Sequence, residues 1–263
     1  MIDLPPSILN VFIFLFGLAA GSFMNVCIYR IPRGFSIIRP ASRCPHCNTP
    51  IRPFDNIPLL SFIILKGRCR TCGARIHWRY PLVELLNAIL WILVFNSFSA
   101  SLAILPLLFF VSSLIVITFI DLEHMIIPDI ITIPGTFTGI ALSLLIPDPF
   151  FRLERLGLMN SLTGALTGFL LFFIIAIIGS WIFRKEAMGG GDVKLMAMIG
   201  AFTGWKGVLL TTFAGSLIGS IAGITMILTK KTQDRIIPFG PYLAAGAIVS
   251  LLYGQEITGI WLR

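Results

Sequence analysis

Asp121, Asp129 and Asp192 stand at the edges of long apolar runs in a chain with 12 acidic residues. Ionisable groups in or beside membrane-length segments are costly and mark functional sites. Asp121 closes one run and Asp129 opens the next. Between them lie Glu123, His124 and Pro128, the proline disfavouring helix at the residue before it. Asp192 follows Gly189, Gly190 and Gly191 directly. Two carboxylates brought close do not both ionise easily. The ionised member can take a proton from water, while the protonated member hydrogen-bonds a scissile carbonyl and stabilises the tetrahedral intermediate. The chemistry is peptide hydrolysis with no covalent intermediate.

Each residue also has a plainer reading. An Asp before a helix is usually an N-cap, which suits Asp129 and Asp192. Asp121 ends a helix, where the macrodipole disfavours negative charge, so it is the hardest of the three to explain as structure. Glu123 and His124 read as solvated loop residues. The glycines let backbone approach a substrate closely; alone they would read as a flexible loop.

Four of the five cysteines form two tight pairs, Cys44-Pro45-His46-Cys47 and Cys69-Arg70-Thr71-Cys72. Four thiolates from two tight turns close a tetrahedral zinc site, and a closed site is structural. His46 and His77 are not needed as ligands. Cys27 reads as a small packing residue. Asn25, Glu84 and Asn87 lie inside apolar runs, with Glu84 and Asn87 one helical turn apart. They read either as interhelical hydrogen-bonding glue or as a polar pocket for a processed N-terminus or a methyl donor.

The elements that carry these residues are membrane helices. The chain is 56% hydrophobic and 12% charged, about half the charge of a soluble domain, with mean hydropathy +0.92. Eight runs approach the length that crosses a bilayer: 8–28, 82–98, 102–120, 130–146, 162–183, 193–205, 207–228 and 238–253. The sixth and eighth are short and carry glycine or proline. Residues 1–6 hold no basic n-region, so 8–28 reads as a retained first span. With 29–80 in the cytoplasm, all of the 20 basic residues except Arg152, Arg155, Lys206 and Arg263 fall on one face. The positive-inside rule therefore explains the net charge of +8. No basic stretch carries the aromatics of a nucleic-acid groove. The expected architecture is an all-α polytopic membrane protein of about eight transmembrane helices. A small cytoplasmic zinc-ribbon-like domain lies between the first two, dividing the chain into 1–28, 29–80 and a peptidase core over 81–263.

Asp121 with Ile127-Pro128-Asp129, then Gly189-Gly190-Gly191-Asp192-Val193-Lys194, resembles the two aspartate motifs of bacterial type IV prepilin peptidases. The second fits the GxGD pattern of membrane aspartic peptidases. Gly21-Ser22-Phe23-Met24-Asn25-Val26 with Tyr29-Arg30-Ile31-Pro32 is similar to that family's N-terminal signature. Arg79-Tyr80-Pro81-Leu82-Val83-Glu84 and Pro238-Phe239-Gly240-Pro241-Tyr242 resemble later segments. The similarity runs over nearly the whole chain.

The resemblance implies Asp121 and Asp192 as the catalytic pair, with Gly189, Gly190, Gly191, Lys194, Pro128 and Asp129 supporting them. It implies an inner-membrane enzyme with its active site at the cytoplasmic face. Its substrates would be type IV prepilins and type II secretion pseudopilins held in lipid. Their basic leader would be removed and the new N-terminus methylated with S-adenosylmethionine. No glycine-rich Rossmann-type donor site is visible, so methylation rests on the resemblance alone. Three rivals differ in kind: a peptidase for another class of membrane leader, an ion or proton transporter using the membrane-edge acids, and a zinc-bearing scaffold without catalysis.

Overall fold

A computed structural model of the chain describes residues 5–98, 102–185, 188–229 and 238–261. Among these the structure is helical, with only isolated β-bridges. The chain forms two compact units, Met1–Ser97 and Phe98–Arg263.

The first unit holds α1 (Pro6–Arg30), the cysteine segment with the short α2 (Leu60–Ile64), and all but the last residue of α3 (Arg79–Phe98). Gly17 and Gly21 bring α1 against α3. A Cβ on either would lie 2.7 Å from the Cα of Ala88 or Glu84, the close approach that small residues one turn apart allow between membrane helices. The Asn87 Nδ2 donates to the Gly17 carbonyl at 2.8 Å, and the Asn25 Nδ2 to the Tyr80 carbonyl at 3.0 Å.

The second unit contains α4 (Leu105–His124), α5 (Asp129–Ala141), α6 (Leu158–Phe183), α7 (Gly190–Leu228) and α8 (Gly240–Trp261). α7 is central, packing against α5, α6 and α8. Gly164 on α6 faces Gly200 and Gly204 on α7, so closely that a Cβ on Gly164 would meet the Gly204 Cα at 2.6 Å. The Ser161 hydroxyl donates to the Ala201 carbonyl across the same seam. Phe110 of α4 stacks on Phe202 of α7, and both are fully buried.

Five helical stretches among the described residues are long and apolar enough to cross a membrane: Ser7–Arg33, Arg79–Phe98, Leu105–His124, Leu158–Phe183 and Gly190–Leu228. The expected runs at 193–205 and 207–228 lie within Gly190–Leu228 (α7), in which two helices meet at Gly204, whose backbone (φ 71°, ψ 178°) is not helical. That backbone is open to glycine at no steric cost, so the sequence boundary survives as a kink. The run at 130–146 forms only the 13-residue α5, which ends at Ala141 in a hydrogen-bonded turn and is too short for a bilayer. The basic residues expected at 230, 231 and 235, and hence part of the orientation argument, lie outside the described residues.

Candidate active site

α4 stops because Met125 takes a left-handed conformation (φ 55°) and donates its N–H to the Asp121 carbonyl, an αL ending. Pro128 then N-caps α5, leaving Asp129 as the first helical residue. Asp121 therefore sits in the last turn of α4, buried, while Asp129 is exposed. Asp192 is the third residue of α7, after an extended N-cap at Gly189. Its backbone N–H donates to the Gly189 carbonyl at 3.1 Å. Its Oδ1 is buried without a hydrogen-bond partner.

Asp121, Asp129 and Asp192 line one cleft of about 260 Å³ with Met125, Ile126 and Ile127, and with Gly189 and Gly191. The three acids come to this cleft from three helices. The glycines divide by position. A Cβ on Gly191 would come 2.8 Å from the Ile127 Cβ, whereas one on Gly190 would meet nothing. Gly191 thus lets the α7 N-terminus seat against the segment after α4.

Gly240, the first residue of α8, donates its backbone N–H to the Asp121 Oδ2 at 3.1 Å. A Cβ there would lie 2.6 Å from that oxygen. Sequence reasoning placed Gly240 in a family-like segment but assigned it no role, because a backbone donor leaves no side-chain signature. Lys194, one turn into α7, binds both Asp129 oxygens, at 2.8 and 2.7 Å. His124 belongs to the last turn of α4 rather than a loop, half-buried with its Nε2 unpartnered.

The four cysteines Cys44, Cys47, Cys69 and Cys72 also converge, all Sγ atoms lying within 4.8 Å of one another. The Cys44 and Cys72 sulfurs are 3.8 Å apart, close to the edge of a tetrahedron with metal–sulfur bonds of about 2.3 Å. The two pairs fold as matching knuckles. Cys44 donates to the Thr49 carbonyl and accepts from the Asn48 N–H; Cys69 does the same with Ala74 and Gly73. Asn48 and Gly73 both have positive φ. A single isolated bridge closes each knuckle, Arg43 with Pro50 and Arg68 with Arg75. Hydrogen bonds from Thr49, its side chain first and then its backbone, pull the Cys47 thiol down to about 6, whereas Cys72 in the same cluster is pushed up to about 11. Beside them, the Arg70 guanidinium binds Asp55 at 2.6 Å and holds its carboxyl below the usual carboxylate range.

Asn25, Glu84 and Asn87 are all buried in the first unit. Besides the two asparagine bonds already described, the Glu84 Oε2 accepts the Leu59 N–H at 2.9 Å. Glu84 therefore ties α3 to the segment that leads into α2. These bonds are what interhelical glue requires; the Asn25 Oδ1 is left buried without a partner.

Two family models match the chain: "Bacterial Peptidase A24 N-terminal domain" over residues 15–98 and "Type IV leader peptidase family" over residues 108–224. A prepilin leader peptidase/N-methyltransferase of Myxococcus xanthus is 42% identical over 86% of this chain and 68% of its own length. One from Aeromonas hydrophila is 38% identical over 95% of this chain and 92% of its own. One from Bacillus subtilis is 37% identical over 95% and 97%. No solved structure matches.

Proposed function

This chain belongs to the type IV leader peptidase family, and from that premise we propose that it is a multi-pass membrane aspartic endopeptidase with Asp121 and Asp192 as its catalytic pair. Its substrates are type IV prepilins and type II secretion pseudopilins, whose basic leader it removes at the cytoplasmic face of the bacterial inner membrane. It then methylates the new N-terminus with S-adenosylmethionine, a second activity that rests on the names of its relatives.

The observation that carries the peptidase reading is the shared cleft: two buried carboxyl groups, from the end of α4 and the start of α7, face one space. In the reaction one carboxylate takes a proton from water as its oxygen attacks the scissile carbonyl carbon. The other, protonated, hydrogen-bonds the carbonyl oxygen and stabilises the tetrahedral intermediate; a proton then passes to the departing amine and the C–N bond breaks. The Gly240 N–H holds Asp121 and the first turn of α7 fixes the buried Asp192, so the pair is positioned before substrate arrives. In the 29–80 domain, Cys44, Cys47, Cys69 and Cys72 hold Zn²⁺ as a closed structural site.

The test is cleavage of a prepilin by the purified full chain in lipid vesicles. Asp121→Asn and Asp192→Asn should each abolish detectable cleavage while leaving thermal unfolding unchanged. Cleavage that survives either change removes that residue from the mechanism.

A further inference from the structure

A second hollow, of about 180 Å³ with almost wholly apolar walls, is lined by Ile133, Thr136 and Phe137 of α5, Phe169 of α6, and Lys194 and Ala197 of α7. It continues the catalytic cleft along both flanking helices. Asp129 and Ile133 are four residues apart on α5; Gly191, Lys194 and Ala197 follow at intervals of three on α7. Residues at these spacings share a helix face. The ion pair between Lys194 and Asp129 stands at the boundary, with Asp129 lining the cleft and Lys194 the groove. The lysine's aliphatic stem covers groove wall while its ammonium stays on the carboxylate.

We infer that this groove is the subsite for the apolar side of the substrate, receiving the first apolar side chains beyond the scissile bond while the polar leader lies on the other side of the aspartates. This rests on the peptidase reading. Chain geometry sets the register. From Asp129 to Ile133 is four helical rises, about 6 Å, or about two residues of extended chain at about 3.3 Å each. The groove therefore takes residues within the first few after the cut. On the proposed reading the substrate carries a basic leader ahead of its apolar segment, and the enzyme surface changes in the same sense at the Lys194–Asp129 pair. The occupant is thus a peptide segment continuous with the reacting bond, rather than a lipid acyl chain resting on an isolated apolar face.

Two measurements test this on the full chain in vesicles. In the first, a benzophenone amino acid replaces Phe137 in an Asp192→Asn background, with a prepilin bearing a basic leader as probe. The adduct should map to the first few apolar residues after the scissile bond, and the same photoprobe at Ile174, an exposed α6 position outside the groove, should capture lipid. Adducts to lipid alone at 137, or equal substrate capture at 174, overturn the subsite. In the second, Ala197→Phe fills the groove floor and should raise KM by about tenfold or more, the scale on which apolar pockets discriminate, with kcat little changed. Ile174→Phe, the same added ring at the exposed α6 position outside the groove, should behave as wild type. Wild-type KM in a folded Ala197→Phe variant also overturns it; if that variant fails to fold, the photoprobe decides. No cleavage even by wild-type protein would instead remove the peptidase reading itself.

Discussion

The C-terminus of α4 disfavours a carboxylate at Asp121, because the last free carbonyls of the helix point towards it. The N-terminus of α8 offsets this: the Gly240 N–H binds the Asp121 Oδ2 at 3.1 Å, and a helix N-terminus favours an anion. What looked unfavourable within one helix is resolved by a second, more than a hundred residues away in the chain. Gly240→Ala should therefore push the two groups apart. Prepilin cleavage should fall by about tenfold or more, since losing one preorganised donor costs about 10²–10³ in rate, while the unfolding temperature changes little. Unchanged kcat would mean that the bond is dispensable. Asp129→Asn should behave differently. Its partnership with Lys194 is largely exposed, and exposed pairs contribute about 0–1 kcal/mol, so cleavage should stay within about fivefold of wild type. Inactivity equal to that of Asp192→Asn would show that the catalytic pair had been wrongly chosen. The aspartates and cysteines were legible because their types and spacings carry the chemistry. Gly240 was not, because its contribution is a backbone N–H.

At the scale of elements, the positions of the carboxylates depend on α7 seating against α6, and that seating depends on Gly164 and Gly200. Gly164→Val should destabilise the second unit by about 1–3 kcal/mol or more through overpacking, read as a lower unfolding temperature in detergent. Gly223→Ala, on the same helix with open space around its Cβ position, should cost nothing. Equal effects from the two would mean that close approach at the α6–α7 seam is not what holds the unit together. Composition and run length gave helices at the right places but overran one of them, the run at 130–146. Hydropathy sees 130–146 as one apolar run, whereas the hydrogen-bonded turn after Ala141 limits α5 to 13 residues. It also sees two runs on either side of position 206, and two helices do meet nearby, at the non-helical Gly204. Local backbone geometry decides where α5 ends, and hydropathy does not record it.

At the scale of the whole molecule, the cysteine segment and the second compact unit are held by different physics. The second has a packed interior of fully buried Phe110, Phe172 and Phe202. The cysteine segment has almost none: Ile37, Ile38, Phe54, Ile63 and Ile64 are exposed, and a stretch this short rarely folds on burial alone. Its organising contacts are the four thiols and the Asp55–Arg70 pair. The carboxyl of that pair is depressed by the Arg70 hydrogen bond. Its contribution is therefore present above the ordinary carboxylate value and is lost only as pH falls through the depressed one. At pH 7 the pair is intact, so loosening caused there by a chelator reports the metal. Chelation, or a Cys44→Ser/Cys69→Ser double substitution, should release zinc and speed proteolysis between residues 34 and 78. Cleavage sites within 98–263 should keep their wild-type protection, because the core around Phe110 and Phe202 needs no metal. Zinc content unchanged in the double variant would defeat the assignment of the four thiolates. Equal loss of protection in both units would show that the metal stabilises the chain as one cooperative body.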